Sequence, residues 1–545
     1  MLAWAALLAM AGLIRLVDLD GLPLTLDEAA RSFDAMRVAD GEVPQTWRGE
    51  LAAASTSYLF RIFGDSEFVA RLVPALAGLG LVATVYSLRP YVGQTGALVA
   101  AALLTFSPLF VLHSRFASEY AVGPMVSVVI AASLSAYMRN PRTSAAFPLV
   151  VSLALAPLTD APAVVALLAA IAFAGLEATV FRNSEIGPAW RTFRSSPVQW
   201  ISALLVLAAA IQLGVTHFGT HLDGDLPGLR LWADMFDQPR DSRQAEYHLA
   251  LLLSYDWPIF LAGSFAFFFV AWRLLRRRSV EPFERFLLLW TLAAALTLAL
   301  VTQRASGQLL ILLLPLALLT GRLFQELVST LEPDTLRRWW PVAAVLVMLA
   351  AIGALLMTEW ASGNASSIEQ AMLAGVPFAS IAVVAVIFVR SRLGGTAATA
   401  AACLLIAAAF MAHSSLAVAF DGGADFAVDA RQTPRAEQLK ATLDRLSAER
   451  DSDIVLDADF TDELGWTLRD SRVLFGGQPD AASILVTTPD AAPSGFAGLP
   501  EVWRIAEGWY PDDVLAPRRM WRWVVFREAF GPTDFVEVRI FVRTI

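Results

Sequence analysis

The sequence predicts an all-α polytopic membrane domain of about thirteen transmembrane helices, followed by a small C-terminal α/β domain on the non-cytoplasmic side. Three observations carry this. Of 545 residues, 57% are hydrophobic and 17% charged, against about 25% charged in a soluble globular chain; the mean hydropathy is +0.57. The apolar excess is clustered, and runs such as Leu309–Leu319 and Val342–Met357 hold no ionisable residue. The pattern stops near residue 420, where charged and turn-forming residues return.

A hydrocarbon core of roughly 30 Å needs about 20 apolar residues per helix. Spans are expected near residues 2–17, 68–88, 93–112, 121–138, 147–157, 162–180, 200–215, 249–272, 286–301, 309–321, 341–357, 371–389 and 396–420. The fifth is too short to cross alone and is expected to pair with the sixth as a broken unit around Asp160 and Pro162. The first lacks a basic leader and a small-residue cleavage site, so it reads as a span rather than a removable signal.

Orientation follows from arginine placement. With the N-terminus cytoplasmic, the inside loops hold Arg89, Arg139, Arg142, Arg182, Arg191, Arg194, Arg273, Arg276, Arg277, Arg278, Arg337, Arg338, Arg390 and Arg392. The opposite loops, 18–67 and 223–246, are acidic. An odd number of spans then places residues 421–545 outside a membrane domain of residues 1–420. In this tail, Leu439, Leu443 and Leu446 have helical spacing, and short β-like runs are expected at 454–456, 472–475, 484–487, 523–526 and 535–542. The expected location is the cell (inner or plasma) membrane.

Composition also excludes. The single cysteine, Cys403, rules out an intrachain disulfide and a multi-cysteine metal site. A net charge of -9 without a basic stripe gives nucleic acid no footprint.

The loop after the first span reaches the adjacent carboxylates Asp27 and Glu28. At a membrane surface such a pair can accept a proton from an acceptor hydroxyl or hold a divalent cation; solvated loop acids are the other reading. The short turn 112–120 packs His113, Arg115 and Glu119 at the membrane face. There an arginine can hold phosphate, or snorkel beside the glutamate. Arg304 stands alone among basic residues in the outside turn 302–308, as a phosphate ligand or an interfacial anchor. Asp160, at a helix break, is a substrate-binding candidate or a helix cap. His217, His221, Asp223 and Asp225 have a weak metal-ligand spacing.

With these residues in view, the chain resembles the C-type fold membrane glycosyltransferases, the superfamily of protein O-mannosyltransferases, lipid A aminoarabinose transferases and the oligosaccharyltransferase catalytic subunit. The resemblance lies in Asp27-Glu28 after the first span, in Tyr58–Gly64 leading into Phe68–Leu72, in Phe106–Phe110 running into Ser114-Arg115-Phe116, and in Leu312–Gly321. A narrower similarity, through Trp466–Arg469 and Met520–Glu528, is to a branch of flippase activity-associated proteins. Ser118 and Tyr120 depart from that branch, where a basic residue and a second acid are expected.

The resemblance implies transfer of a sugar from a polyprenyl-phosphate-linked donor to a glycan, lipid or protein acceptor on the outer face, with inversion. By position, Asp27 is the base, Glu28 its neighbour and Glu119 the second-loop acid, with Arg304, Arg115, His113 and Asp160 as substrate ligands. Any cofactor is open, Mg or Mn included. The competing expectation is a non-catalytic, polyprenyl-lipid-binding partner of a lipid-linked glycan flippase.

Overall fold

The computed structural model describes all residues except 43–49, 142, 182–185, 196, 211–225, 238–243, 303–304, 331–332, 364–365, 424, 429, 478–482, 492, 512, 514–515 and 545. It is mostly helical up to Phe420, and the described parts of the expected spans fall largely on helix, with 211–215 of the seventh lying outside the described residues. Among the described residues, seven helices are long and apolar enough to cross a membrane, or eight if one bent pair counts as a span. The chain is therefore a multi-pass membrane protein.

The bent pair corrects one expectation. Residues 93–112 do not form one straight span: Gln94–Phe106 and Pro108–Arg115 meet at 59°. Pro108 has no N–H to donate and pushes the preceding residue out of helical geometry. Ser107 accordingly takes φ -67 and ψ 120, and its side chain caps the second helix by accepting from Phe110 N–H. The 147–157 segment is also short, ending in a 3-10 turn before Asp160 and the helix Ala161–Thr179.

The helix Leu310–Thr330 runs through the middle of the bundle, and its residues from Leu310 to Gly321 are almost all buried. It crosses Gln94–Phe106 where Gly96 and Gly321 lie backbone to backbone; a Cβ on either would strike the other's carbonyl. Near the far end of this helix, Arg322 pairs with Glu284 at 2.9 Å and Glu281 at 3.0 Å. Arg285 pairs with the buried Glu177 at 2.6 Å. The candidate site lies at the other end, beside Ser306.

Beyond Phe420 the chain forms a six-stranded sheet. Its strands are β1 (Arg431–Gln432), β2 (Ile454–Leu456), β3 (Val473–Phe475), β4 (Ile484–Thr487), β5 (Phe496–Trp509) and β6 (Thr533–Arg543), in the order β1-β5-β6-β4-β2-β3. The pairs of β2 with β3 and β4 are parallel. The helix Pro434–Arg450 buries Leu439 and Leu443 in one core with Ile454, Ile484 and Ile540. Residues 523–526 are a correction: they end a helix, Pro517–Phe526, rather than form a strand. Pro517 suits a helix start, and Trp523 is buried against Phe426, Tyr255 and Trp509.

The sheet is fastened to the first extramembrane loop. Leu26 N–H donates to Ala430, and Gln432 N–H donates to Leu24. Phe60 stacks on Trp466, with centroids 5.7 Å apart, and Arg469 pairs with Asp65 at 2.8 Å.

Candidate functional site

The helix Leu26–Ala39 begins with a capping box, and this sets the site. Thr25 Oγ1 accepts from Glu28 N–H at 3.1 Å, while Glu28 Oε2 accepts from Thr25 N–H at 3.0 Å. The geometry needs Thr and Glu three residues apart. It turns Glu28 inward and leaves Asp27 facing outward, its side chain 66% exposed.

Glu28 is fully engaged. Arg71 grips it bidentately, Nε to Oε1 at 2.8 Å and Nη2 to Oε2 at 3.0 Å. Ala117 N–H donates to Oε1 at 2.9 Å, tying the second loop to the first. Burial works against the Glu28 charge, but Arg71 and the two backbone N–H groups outweigh it and hold the carboxyl below the usual range. Glu28 is therefore a positioning residue with no free lone pair facing substrate.

Asp27, Arg31, His113, Glu119, Tyr120 and Ser306 line one pocket, with Ala427, Val428 and Ala430 closing one wall. Arg31, one helical turn beyond Asp27, lies 3.8 Å from Asp27 and 3.4 Å from Glu119. It also donates to Ala117 O at 3.3 Å. Burial disfavours its charge, but Glu119, Asp27 and Glu50 together raise its pKa. A second pocket, walled by Ala35, Ala52, Ala53 and Ala70, shares Arg31 and Glu119 with the first. The ion pair thus stands between two cavities.

His113 is held at both nitrogens: Nδ1 lies 2.7 Å from Ser118 Oγ, and Nε2 lies 3.1 Å from Ser306 Oγ. Ser306 donates its hydroxyl to Ala427 O at 2.6 Å, so it accepts from Nε2–H and leaves Nδ1 to accept from Ser118. Burial, with Arg31 nearby, drives the His113 pKa down to about 3, so the imidazole is neutral with its proton on Nε2. Tyr120 packs its ring on Gly307, where a Cβ would collide with it. Burial first, then Glu119, push its phenol well above the ordinary range, keeping it a donor.

Other expected ligands lie elsewhere. Arg115 is buried and donates to the carbonyls of Ile14, Val17 and Asp18 at 2.6–2.9 Å, which staples the end of the first helix. Asp160 does not line the pocket; it accepts from Gly123 N–H at 2.6 Å, at the start of the helix Gly123–Arg139. Arg304, His217, His221, Asp223 and Asp225 lie outside the described residues.

Among the described residues no three His, Cys, Asp or Glu side chains cluster suitably for a metal ion. Asp27 and Glu119 both face the Arg31 guanidinium.

Residues 51–211 match the family model described as dolichyl-phosphate-mannose-protein mannosyltransferase. Comparison with curated protein sequences finds no match. In structure the chain is similar to ArnT from Cupriavidus metallidurans bound to undecaprenyl phosphate, at 17% identity and a TM-score of 0.56 over 89% of this chain and 93% of that one. The apo state of the same enzyme gives 0.52, with the same identity and coverage. The chain has the C-type membrane glycosyltransferase fold. Within this fold, the family match spans Arg71 and Glu119 but begins after Asp27, so the role of Asp27 rests on the pocket.

Arg31 and Ser306 are not site candidates in the sequence reading, and Arg71 and Tyr120 enter it only through the resemblance, without a role. Arg31 was within reach, because Thr25-x-x-Glu28 is a capping-box signature and Asp27 and Arg31 then share a helix face. Ser306 and the wall residues Ala427, Val428 and Ala430 are brought in by tertiary packing alone.

Proposed function

We propose that this protein transfers a sugar from a polyprenyl-phosphate-linked donor to an acceptor hydroxyl on the non-cytoplasmic face of the cell membrane, with inversion at the sugar carbon. The full topology, thirteen crossings with the N-terminus inside and residues 421–545 outside, belongs to this reading. The observation that carries it is the open Asp27 carboxylate in a pocket that also holds Arg31, His113 and Glu119, between two membrane-anchored loops. The ArnT structure, which holds undecaprenyl phosphate, supports a lipid phosphate as the donor's carrier.

In the reaction, the acceptor oxygen attacks the anomeric carbon as that carbon's bond to the phosphate oxygen breaks. The polyprenyl phosphate departs with the bonding electrons, and Asp27 takes the acceptor proton. Arg31 keeps Asp27 and Glu119 in place, and Tyr120 can donate to an acceptor or sugar oxygen. Arg304 directly precedes the pocket residue Ala305 and is a candidate for the departing phosphate. The two cavities flanking Arg31 and Glu119 supply places for two substrates.

The test is turnover in proteoliposomes across a panel of undecaprenyl-phosphate-linked hexoses and pentoses. Release of undecaprenyl phosphate with a new glycosidic product supports the reading. Retention of the lipid without turnover across the panel favours the flippase-partner alternative.

A further inference from the structure

Each arginine described around the pocket has acceptors except one. Arg31 has Glu119 and Asp27, Arg71 has Glu28, and Arg115 has three carbonyls. Arg431, next in the chain to the wall residue Ala430 but not itself lining the pocket, has none among the described residues: Nε, Nη1 and Nη2 are all buried without a hydrogen-bond partner. Its guanidinium carbon stands 5.5 Å from the ring centroid of Phe116. Phe116, Thr25 and Ala430 all line the pocket, and the Arg431 backbone bridges to Thr25. The guanidinium therefore lies one side chain behind the pocket wall.

A desolvated guanidinium without an anion is costly, and a cation–π contact returns only part of that cost. A fold keeps such a group where an anion completes it. We propose that Arg431, in addition to the candidate Arg304, seats the phosphate of the lipid-linked ligand. The planar N–H fork matches two phosphate oxygens, and the charge is not already neutralised, as it is at Arg31. On this proposal the Phe116 ring, which Arg71 also faces at 5.6 Å, turns aside to admit the anion. This assignment rests on the reading that the ligand is a polyprenyl phosphate, and it gives the segment joining the last membrane helix to the sheet a direct part in binding.

The experiment uses the full chain in detergent, with undecaprenyl phosphate and undecaprenol as paired probes in native mass spectrometry. Wild type should prefer the phosphate. Arg431→Met, which keeps bulk against Phe116, should weaken undecaprenyl phosphate roughly 10- to 100-fold and leave undecaprenol unchanged, while Arg431→Lys retains part of the preference. Without ligand, Arg431→Met should melt no lower than wild type, because an unpaired buried charge has been removed. Equal phosphate binding by wild type and Arg431→Met overturns the assignment and leaves the transferase reading standing. A ligand-free Arg431→Met that melts well below wild type makes Arg431 structural and also overturns it. A wild type that does not distinguish phosphate from alcohol sinks both the assignment and the lipid-donor reading.

Discussion

Arg31 Nη2 lies 3.4 Å from Glu119 Oε2, and this contact joins the first extramembrane helix to the second loop at the pocket. The same guanidinium faces Asp27 at 3.8 Å. Arg31 is therefore shared by an enclosed acid and an open one. The exposed pair is worth little by itself, which leaves Asp27 free to take a proton, while the more enclosed Glu119 fixes where Arg31 sits.

That geometry predicts coupling between Arg31 and Glu119. Arg31→Gln and Glu119→Gln should each lower kcat/KM, and the double variant should lose less than the two separate losses combined. Contacting residues couple by about 0.5–3 kcal/mol, so the shortfall should fall in that range. Strictly additive losses would mean that the contact has no part in turnover.

Glu28 makes a prediction about stability and its pH dependence. Glu28→Gln leaves Arg71 buried without its counter-charge and should cost about 3–5 kcal/mol, read by thermal or chemical unfolding in detergent. The folded-state pKa of Glu28 lies below its unfolded value. Its stabilisation is therefore present above the ordinary glutamate range and is lost as pH falls through the lowered folded pKa. Wild type should lose stability on acidification over that window, and Glu28→Gln should lose less. Parallel pH profiles would remove Glu28 from the account.

Much of the architecture was legible in the sequence, for identifiable reasons. Apolar runs located the helices because a span needs length and composition more than pattern. β2, β4 and most of β6 were visible as short apolar runs. The long strand β5 was not, since Gly498, Pro500, Gly508 and its charges break the alternation. Residues 523–526 misled for the opposite reason: Val524 and Val525 suit a strand locally, but the burial of Trp523 decides for helix. At the site, Asp27, His113 and Glu119 were legible because each is a polar residue in a segment next to an apolar run, Asp27 and His113 in the end turns of short helices. Arg431 was not, because its place depends on a strand bridging to Thr25 more than 400 residues earlier.

The orientation of the chain can be read by labelling. In a Cys403→Ser background, cysteines at the exposed positions Ser279 and Glu449 separate the two sides. A membrane-impermeant maleimide applied to intact cells should mark position 449 and spare 279, as the arginine distribution requires. Labelling at 279 would invert the bundle and put the Asp27 pocket on the cytoplasmic side.

Asp27 separates an enzyme from a binder. Its carboxylate is the open member of an adjacent pair whose other member, Glu28, is locked to Arg71 at 2.8 Å. Asp27→Asn keeps the shape and removes the proton acceptor. A general base contributes roughly 10²–10⁴-fold in rate, so transfer should fall by about that factor while undecaprenyl phosphate binding persists. Asp34→Asn, on the same helix but outside the pocket, should stay near wild type and controls for damage to the loop. Glu28→Gln is expected to differ in kind, losing folded protein rather than rate per folded molecule. Equal single-turnover rates for wild type and Asp27→Asn, at saturating donor and acceptor, would remove Asp27 as the base and shift the search to Glu119, which lines the same pocket and, unlike Glu28, is not gripped by Arg71.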